Sequence, residues 1–129
     1  MTQSQLSTSV VGRHSELLAM AALLADGWSV SEPTVPEAHD LKAEKDGITV
    51  KIQVKTIKMR VKDGVPYYVI RGLKNNGQVY DKHDCDAFVG VYDGQVYYVE
   101  NSELSEYWTK ADEPKWRILP IKINHTEAV

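Results

Sequence analysis

The dipeptide Asp46-Gly47 interrupts the run DLKAEKDGITVKIQVK over residues 40–55. Asp-Gly accepts the positive φ angles that a two-residue hairpin turn demands. With the turn between Lys45 and Ile48, Ala43 faces Val50, Leu41 faces Ile52 and Asp40 faces Gln53. Leu41, Ala43, Ile48, Val50, Ile52 and Val54 then share one face. Asp40, Lys42, Glu44, Thr49, Lys51, Gln53 and Lys55 share the other. A slip of one residue would send the apolar set to the wrong side, so the pattern itself selects the register. A chemical consequence follows. Asp40 and Gln53 become cross-strand neighbours about 5 Å apart, with Lys55 two residues further along on the same face.

A chain of 129 residues, 43% hydrophobic and 26% charged, is expected to form one soluble domain over 1–129 with a real core. The polar segment 1–10 and the end at 124–129 are expected to be loose tails. No apolar run is long enough to span a bilayer, and no signal-peptide pattern is present. Cys85 is the one cysteine, so no internal disulfide forms and a cytoplasmic, intracellular setting is expected.

In chain order, residues 11–26 read as a helix capped by Thr8 or Ser9 and ended by Gly27, with Leu17, Met20, Ala21 and Leu24 as its buried stripe. Glu16 lies on the flank of that stripe, where an acid either simply reaches water or is carried to the edge of the core. A short strand begins at Trp28, and Pro33 and Pro36 make 31–39 an irregular lead-in to the hairpin. The side-chain parity changes after Thr56, which predicts a bulge or a strand end near Ile57. Asp63-Gly64 turns the chain into a strand over 67–71. A second hairpin, 87–92 and 95–100 around Asp93-Gly94, is apolar on both faces and belongs in the middle of a sheet. Ser102, Glu106 and Tyr107 suggest a short helix to about residue 110. A last strand over 116–123 is interrupted by Pro120, which favours a sheet edge. The expected class is α/β (α+β) with one mixed sheet, and no Gly-rich phosphate loop is present.

Glu16, Asp40 and Gln53 together offer oxygen ligands for a hard divalent cation, with Lys55 as a fixed positive charge. Mg²⁺ takes such ligands, and it can polarise a phosphoryl oxygen and acidify a bound water. Glu16 on an opening helix, Asp40 at a strand start and Gln53-Val54-Lys55 at the end of the next strand resemble the PD-(D/E)XK nuclease superfamily over about residues 11–100. The glutamine variant is similar to group I intron homing endonucleases of the cyanobacterial type and to small relatives of the Holliday-junction resolvases. His39 stands where many members have a proline, and Gln53 brings an amide where most have a carboxylate.

The resemblance implies a restriction-endonuclease-like core, a central mixed sheet flanked by helices. It implies metal held by Glu16, Asp40 and Gln53, catalysis by Lys55, and Mg²⁺ as cofactor with Mn²⁺ able to replace it. The activity implied is hydrolysis of DNA phosphodiesters, homing or restriction-like, in a phage- or mobile-element-encoded protein. Cleavage of branched DNA junctions and a catalytically inactive DNA-binding or assembly module are the alternatives.

The net charge of -3 argues mildly against a nucleic-acid partner, but its distribution argues for one. Lys51, Lys55, Lys58, Arg60 and Lys62 fall within residues 51–62 with no acid among them. The same stripe would suit a solvated edge strand. On the DNA reading, Lys51, Lys58, Arg60 and Lys62 contact double-stranded or branched DNA, and His39 touches phosphate or supports Asp40. One chain holds one site, so a homodimer or tetramer is expected. His83, Asp84, Cys85 and Asp86 are consecutive and lack zinc spacing, so they read as a polar strand entrance. The tyrosines and tryptophans read as packing residues.

Overall fold

The computed structural model describes residues 6–123; residues 1–5 and 124–129 of the expected tails lie outside the described residues. Helix α1 (Thr8–Ala25) is followed by nine strands: β1 (Ser29–Ser31), β2 (Leu41–Lys45), β3 (Ile48–Thr56), β4 (Lys58–Lys62), β5 (Val65–Arg71), β6 (Ala87–Tyr92), β7 (Gln95–Glu100), β8 (Glu106–Lys110) and β9 (Arg117–Leu119). A six-stranded sheet runs β1-β2-β3-β6-β7-β9, and a three-stranded sheet runs β4-β5-β8. β3 and β6 are parallel and their other neighbours antiparallel, so the large sheet is mixed, as its sequence predicts.

The β2–β3 hairpin has the expected register, Lys45 to Ile48, Ala43 to Val50 and Leu41 to Ile52. Asp46 and Gly47 take φ values of 53° and 79°, and Asp63-Gly64 and Asp93-Gly94 repeat the same left-handed pair. Three Asp-Gly turns of one kind therefore set three hairpins. β3 ends at Thr56, where the parity change falls. The Ile57 amide donates to the Val91 carbonyl at 2.9 Å, and the chain then leaves the large sheet for the small one.

Three expectations need correction. Ser7, one residue before the expected caps, accepts from the Val10 amide at 3.2 Å and starts α1, so residues 8–10 are helical and not loose. The buried face of α1 is Ser15, Ala19, Ala22 and Leu23, whereas Leu17 and Leu24 are 49% and 56% exposed. From Leu17 to Ala25 this helix is apolar on every side, so periodicity could not choose its face there. Ala19 and Ala22 fit the sheet because small side chains let the helix backbone approach closely. Finally, the expected helix before residue 110 is strand β8. Tyr107 and Thr109 are buried while Trp108 and Lys110 are exposed, a period of two that aromatic and β-branched residues support.

That last change decides the architecture. α1 covers one face of the mixed sheet, through Leu41, Ala43, Ile52, Val54, Val89 and Val96. The other face, with Phe88 and Tyr97, is covered by the small sheet through Ile57, Tyr68, Ile70 and Tyr107, where a further helix was expected. β9 is an edge strand, as Pro120 suggests, but it stops at Leu119.

Gly90 lets the two sheets meet. A Cβ built there would lie 2.7 Å from Cδ1 of Ile70 and 2.8 Å from Cγ1 of Ile57. Gly90→Val is expected to overpack this seam and to cost about 1–3 kcal/mol. Thermal unfolding checks it: an unchanged midpoint would show that the seam is looser than its distances indicate.

Candidate active site

Asp40 is the last residue before β2. Its amide donates to the Ile52 carbonyl at 2.8 Å, one residue out of the β2–β3 register, which ends at the Leu41–Ile52 pair. Its Oδ2 accepts from the Val54 amide at 2.9 Å. The carboxylate is thus pinned across the ribbon between Gln53 and Lys55, while Oδ1 stays available. Burial pushes the Asp40 carboxyl above the usual carboxylate range. The Val54 hydrogen bond opposes this, the Glu16 charge adds to it and Lys55 opposes it again.

Lys55 lies on the face covered by the small sheet, with Nζ 4.9 Å from the centre of the Tyr80 ring. Burial lowers its pKa and the Asp40 charge raises it; Arg71 is close enough to lower it further. Tyr80 is itself fixed from below. The buried Asn101 side chain donates to the carbonyls of Tyr80, Asp81 and Cys85 at 3.0, 3.1 and 2.9 Å. Its Oδ1 accepts from the Glu103 amide and the Tyr107 hydroxyl. One buried amide therefore holds the turn that carries the aromatic floor of the lysine.

Glu16 projects from α1 into a cleft of about 350 Å³ that Asp40, His39 and residues 32–37 also line. Its Oε1 accepts from Arg13 at 3.1 Å, and Arg13 also donates to Glu32 at 2.7 Å. His39 is only 7% exposed, and its Nε2 has no partner. Burial lowers its pKa, so the ring is neutral at pH 7. Gln53 is half-buried on β3, paired with Phe88 of β6. Among the described residues no three His, Cys, Asp or Glu side chains converge on one point. Glu16 and Asp40 share the cleft with Glu32 and Glu37, whereas Gln53 does not line it; carboxylate oxygens are the donors a hard divalent cation takes. The Asp40 carboxyl is raised first by burial and to a lesser extent by the Glu16 charge, and a bound cation would offset both.

A model of the family described as PD-(D/E)XK endonuclease matches residues 6–128. The chain belongs to that family. Among solved structures it is similar to a bacterial homing endonuclease, I-Ssp6803I, at 25% identity and a TM-score of 0.65, over 87% of this chain and 81% of that one. No curated protein sequence matches it.

The basic residues of this PD-(D/E)XK chain separate into two groups. Lys51 is tied back to the entrance of β6, its ammonium donating to the His83 carbonyl and its amide to Asp86 Oδ2 at 2.7 Å. Asp86 thus ties the entrance of β6 to β3. Lys58, Arg60 and Lys62 lie on the fully exposed strand β4, with Arg60 paired to Glu106 at 3.0 Å. Residues 81–84 form a turn held by Asp81 Oδ1, which accepts from the His83 and Asp84 amides. Burial pushes the Cys85 thiol up to about 12, so it stays protonated and is no nucleophile. Arg13, Tyr80, Arg71 and Asn101 around the site were not found from sequence. Only Arg13, one turn before Glu16, carried a local signal.

The raised Asp40 carboxyl has a consequence for stability. The folded chain binds this proton more tightly than the unfolded chain. The resulting stabilisation is fully present below the unfolded value near 3.8 and is lost as pH rises through the raised folded value. Asp40→Asn keeps an acceptor for Val54 without the charge. In metal-free protein it is expected to match the wild-type melting temperature below about pH 3 and to exceed it by a few degrees at neutral pH. A wild type that melts higher at neutral pH would contradict this account of Asp40.

Proposed function

We propose that this chain is a divalent-metal-dependent DNA endonuclease of the homing or restriction-like type. The observation that supports it most is Asp40, pinned by the Val54 amide at 2.9 Å, with the Glu16 carboxylate in the same cleft and a desolvated Lys55 beside it. Glu16, Asp40 and Gln53 would hold Mg²⁺, or Mn²⁺ in its place. When bound, such an ion polarises the phosphoryl oxygen and lowers the pKa of water. The similarity to a homing endonuclease supports the choice of class.

Within this reading Asp40 and Gln53 orient the ion's ligands from one end of the ribbon. Lys55 donates a hydrogen bond to a non-bridging phosphate oxygen or to the attacking water, and its half-buried setting strengthens that interaction. Its depressed pKa eases proton exchange with the water. Water forms the new bond to phosphorus and one ester P–O bond breaks.

Purified protein with Mg²⁺ is expected to cleave DNA, and Asp40→Ala and Lys55→Ala each to lose at least about a thousandfold in rate with the circular dichroism spectrum unchanged. A panel of linear duplex, four-way junction and flap reads the substrate. Cutting of the duplex at defined sites supports this proposal, cutting only at branch points makes the chain a junction resolvase, and no cutting at all sinks the enzymatic reading. Millimolar Mg²⁺ or Mn²⁺ is expected to raise the wild-type melting temperature and to leave Asp40→Asn unmoved.

A homodimer or dimer of dimers accompanies the proposal, because one chain holds one site and a duplex has two strands. Leu17, Leu24, Ile121 and Ile123, each close to half exposed or more, offer apolar surface for it. Sedimentation analysis is expected to return a dimer or larger; a monomer that cuts both strands in one encounter would exclude it.

A further inference from the structure

The small sheet has an outer face with a consistent composition. By register Lys58 lies beside Val69 and Arg60 beside Tyr67. Tyr67 in turn lies beside Lys110, and Val69 beside Trp108. Alternation therefore places Lys58, Arg60, Lys62, Tyr67, Trp108 and Lys110 on one side, away from the seam with the large sheet. Glu106 is the one acid among these strand residues, and it is already paired with Arg60 at 3.0 Å. In a chain with a net charge of -3, this is a concentrated positive surface.

The aromatic residues are part of the same surface. The Trp108 ring stands 5.4 Å from Tyr67, edge to face, and the Arg60 guanidinium lies 5.7 Å from the Trp108 ring centre. Trp108 is 38% exposed, although a buried position would better suit a packing residue. The platform is held rigid on both sides. β4 is also an edge strand, paired only with β5, while β5 is paired on its other side with β8 from Tyr67 to Arg71. Cations two residues apart on a strand are about 6.7 Å apart, close to two base steps of about 3.4 Å along the duplex.

The face is joined to the candidate active site through the backbone, with Lys55 on the inner side of the crossing between sheets and Lys58 on the outer side. Only Thr56 and Ile57 separate Lys55 from Lys58, and Arg71, at the end of β5, is near enough for its charge to act on Lys55. We infer that the outer face of the β4-β5-β8 sheet is the duplex-DNA docking surface of this chain. Lys58, Arg60, Lys62 and Lys110 contact phosphates there, and the Tyr67–Trp108 pair bears on the groove wall. The inference rests on the endonuclease reading for the identity of its partner. It removes Lys51 from the set of phosphate contacts and adds Tyr67, Trp108 and Lys110 from elsewhere in the chain.

Binding is read without cleavage, by anisotropy of a fluorescent duplex in EDTA across a salt series, with Asp40→Asn as a second readout of docking. Lys62→Ala combined with Lys110→Ala is expected to weaken binding about tenfold or more and to reduce the slope of log K against log salt by about two. Trp108→Leu is expected to weaken binding with the slope nearly unchanged, and duplex is expected to quench wild-type tryptophan fluorescence but not that of Trp108→Leu. Circular dichroism and size-exclusion light scattering accompany every variant. If the double variant keeps wild-type affinity and slope, the docking surface lies elsewhere, even if the protein cuts DNA. A double variant that dissociates into smaller species with its salt slope intact makes the face a contact between copies, which also overturns the inference. If the face binds duplex as described but wild type never cuts with metal, the docking surface stands and the endonuclease reading falls.

Discussion

The hydrogen bond from the Val54 amide to Asp40 Oδ2, 2.9 Å long, is the contact on which the site depends. It exists only because the β2–β3 hairpin has a single register, and that register exists because Asp46 and Gly47 accept left-handed angles. The strand ladder satisfies most backbone groups by itself. Val54 is an exception at the end of β2, where an aspartate takes the place of a neighbouring strand. The same bond that satisfies a buried amide also fixes a carboxylate beside Gln53 and Lys55. Local backbone accounting and site geometry are thus one requirement, and no separate device is needed to aim Asp40.

The site is held against its own electrostatic preference. Asp40 is raised and Lys55 lowered by the same cause, loss of water around the charged form. Each partly compensates the other, and Glu16 works against Asp40. The rest of the structure supplies the restraint. Asn101 fixes the turn below Tyr80, and Tyr80 floors Lys55. Arg13 holds Glu16 at the cleft mouth and links it to Glu32 on the 31–39 segment. Groups that destabilise the free protein in this way are the ones a bound cation or phosphate can reward, since either removes the repulsion without moving the backbone.

What could be read from the sequence divides along the range of the interactions. The hairpin registers, the strand end at Thr56 and the edge position of β9 rest on turn chemistry and period-two alternation, which act over a few residues. The buried face of α1 does not. LLAMAALLA, residues 17–25, is apolar all round, and the choice of Ala19 and Ala22 over Leu17 and Leu24 is made by the sheet surface it meets. The segment before residue 110 departs from its local pattern for a related reason. Ser102 and Glu106 resemble the start of a helix, yet Tyr107 and Thr109 are drawn inward by Phe88 and the seam, which only the folded chain presents. Around the site, Asp40 and Lys55 follow from the register, whereas Arg71, Tyr80 and Asn101 reach it through long-range packing.

Strand β8 also bears on the basic run over 51–62. One linear stripe cannot distinguish a solvated edge from a binding surface. The structure breaks the stripe at Ile57, whose burial at 3% exposure anchors the crossing between sheets. Lys51 and Lys55 stay on β3, committed to His83 and Tyr80. Lys58, Arg60 and Lys62 are carried to the outside, where β8 adds Trp108 and Lys110 beside them. A solvated edge strand has no physical need for an aromatic pair clamped by an arginine on its exposed side. Because the two groups are joined by two residues of backbone and a packed isoleucine, a duplex held on the outer sheet would be held at a fixed distance from Lys55. That rigid offset, more than the number of positive charges, is what a cleaving enzyme would require of its docking face.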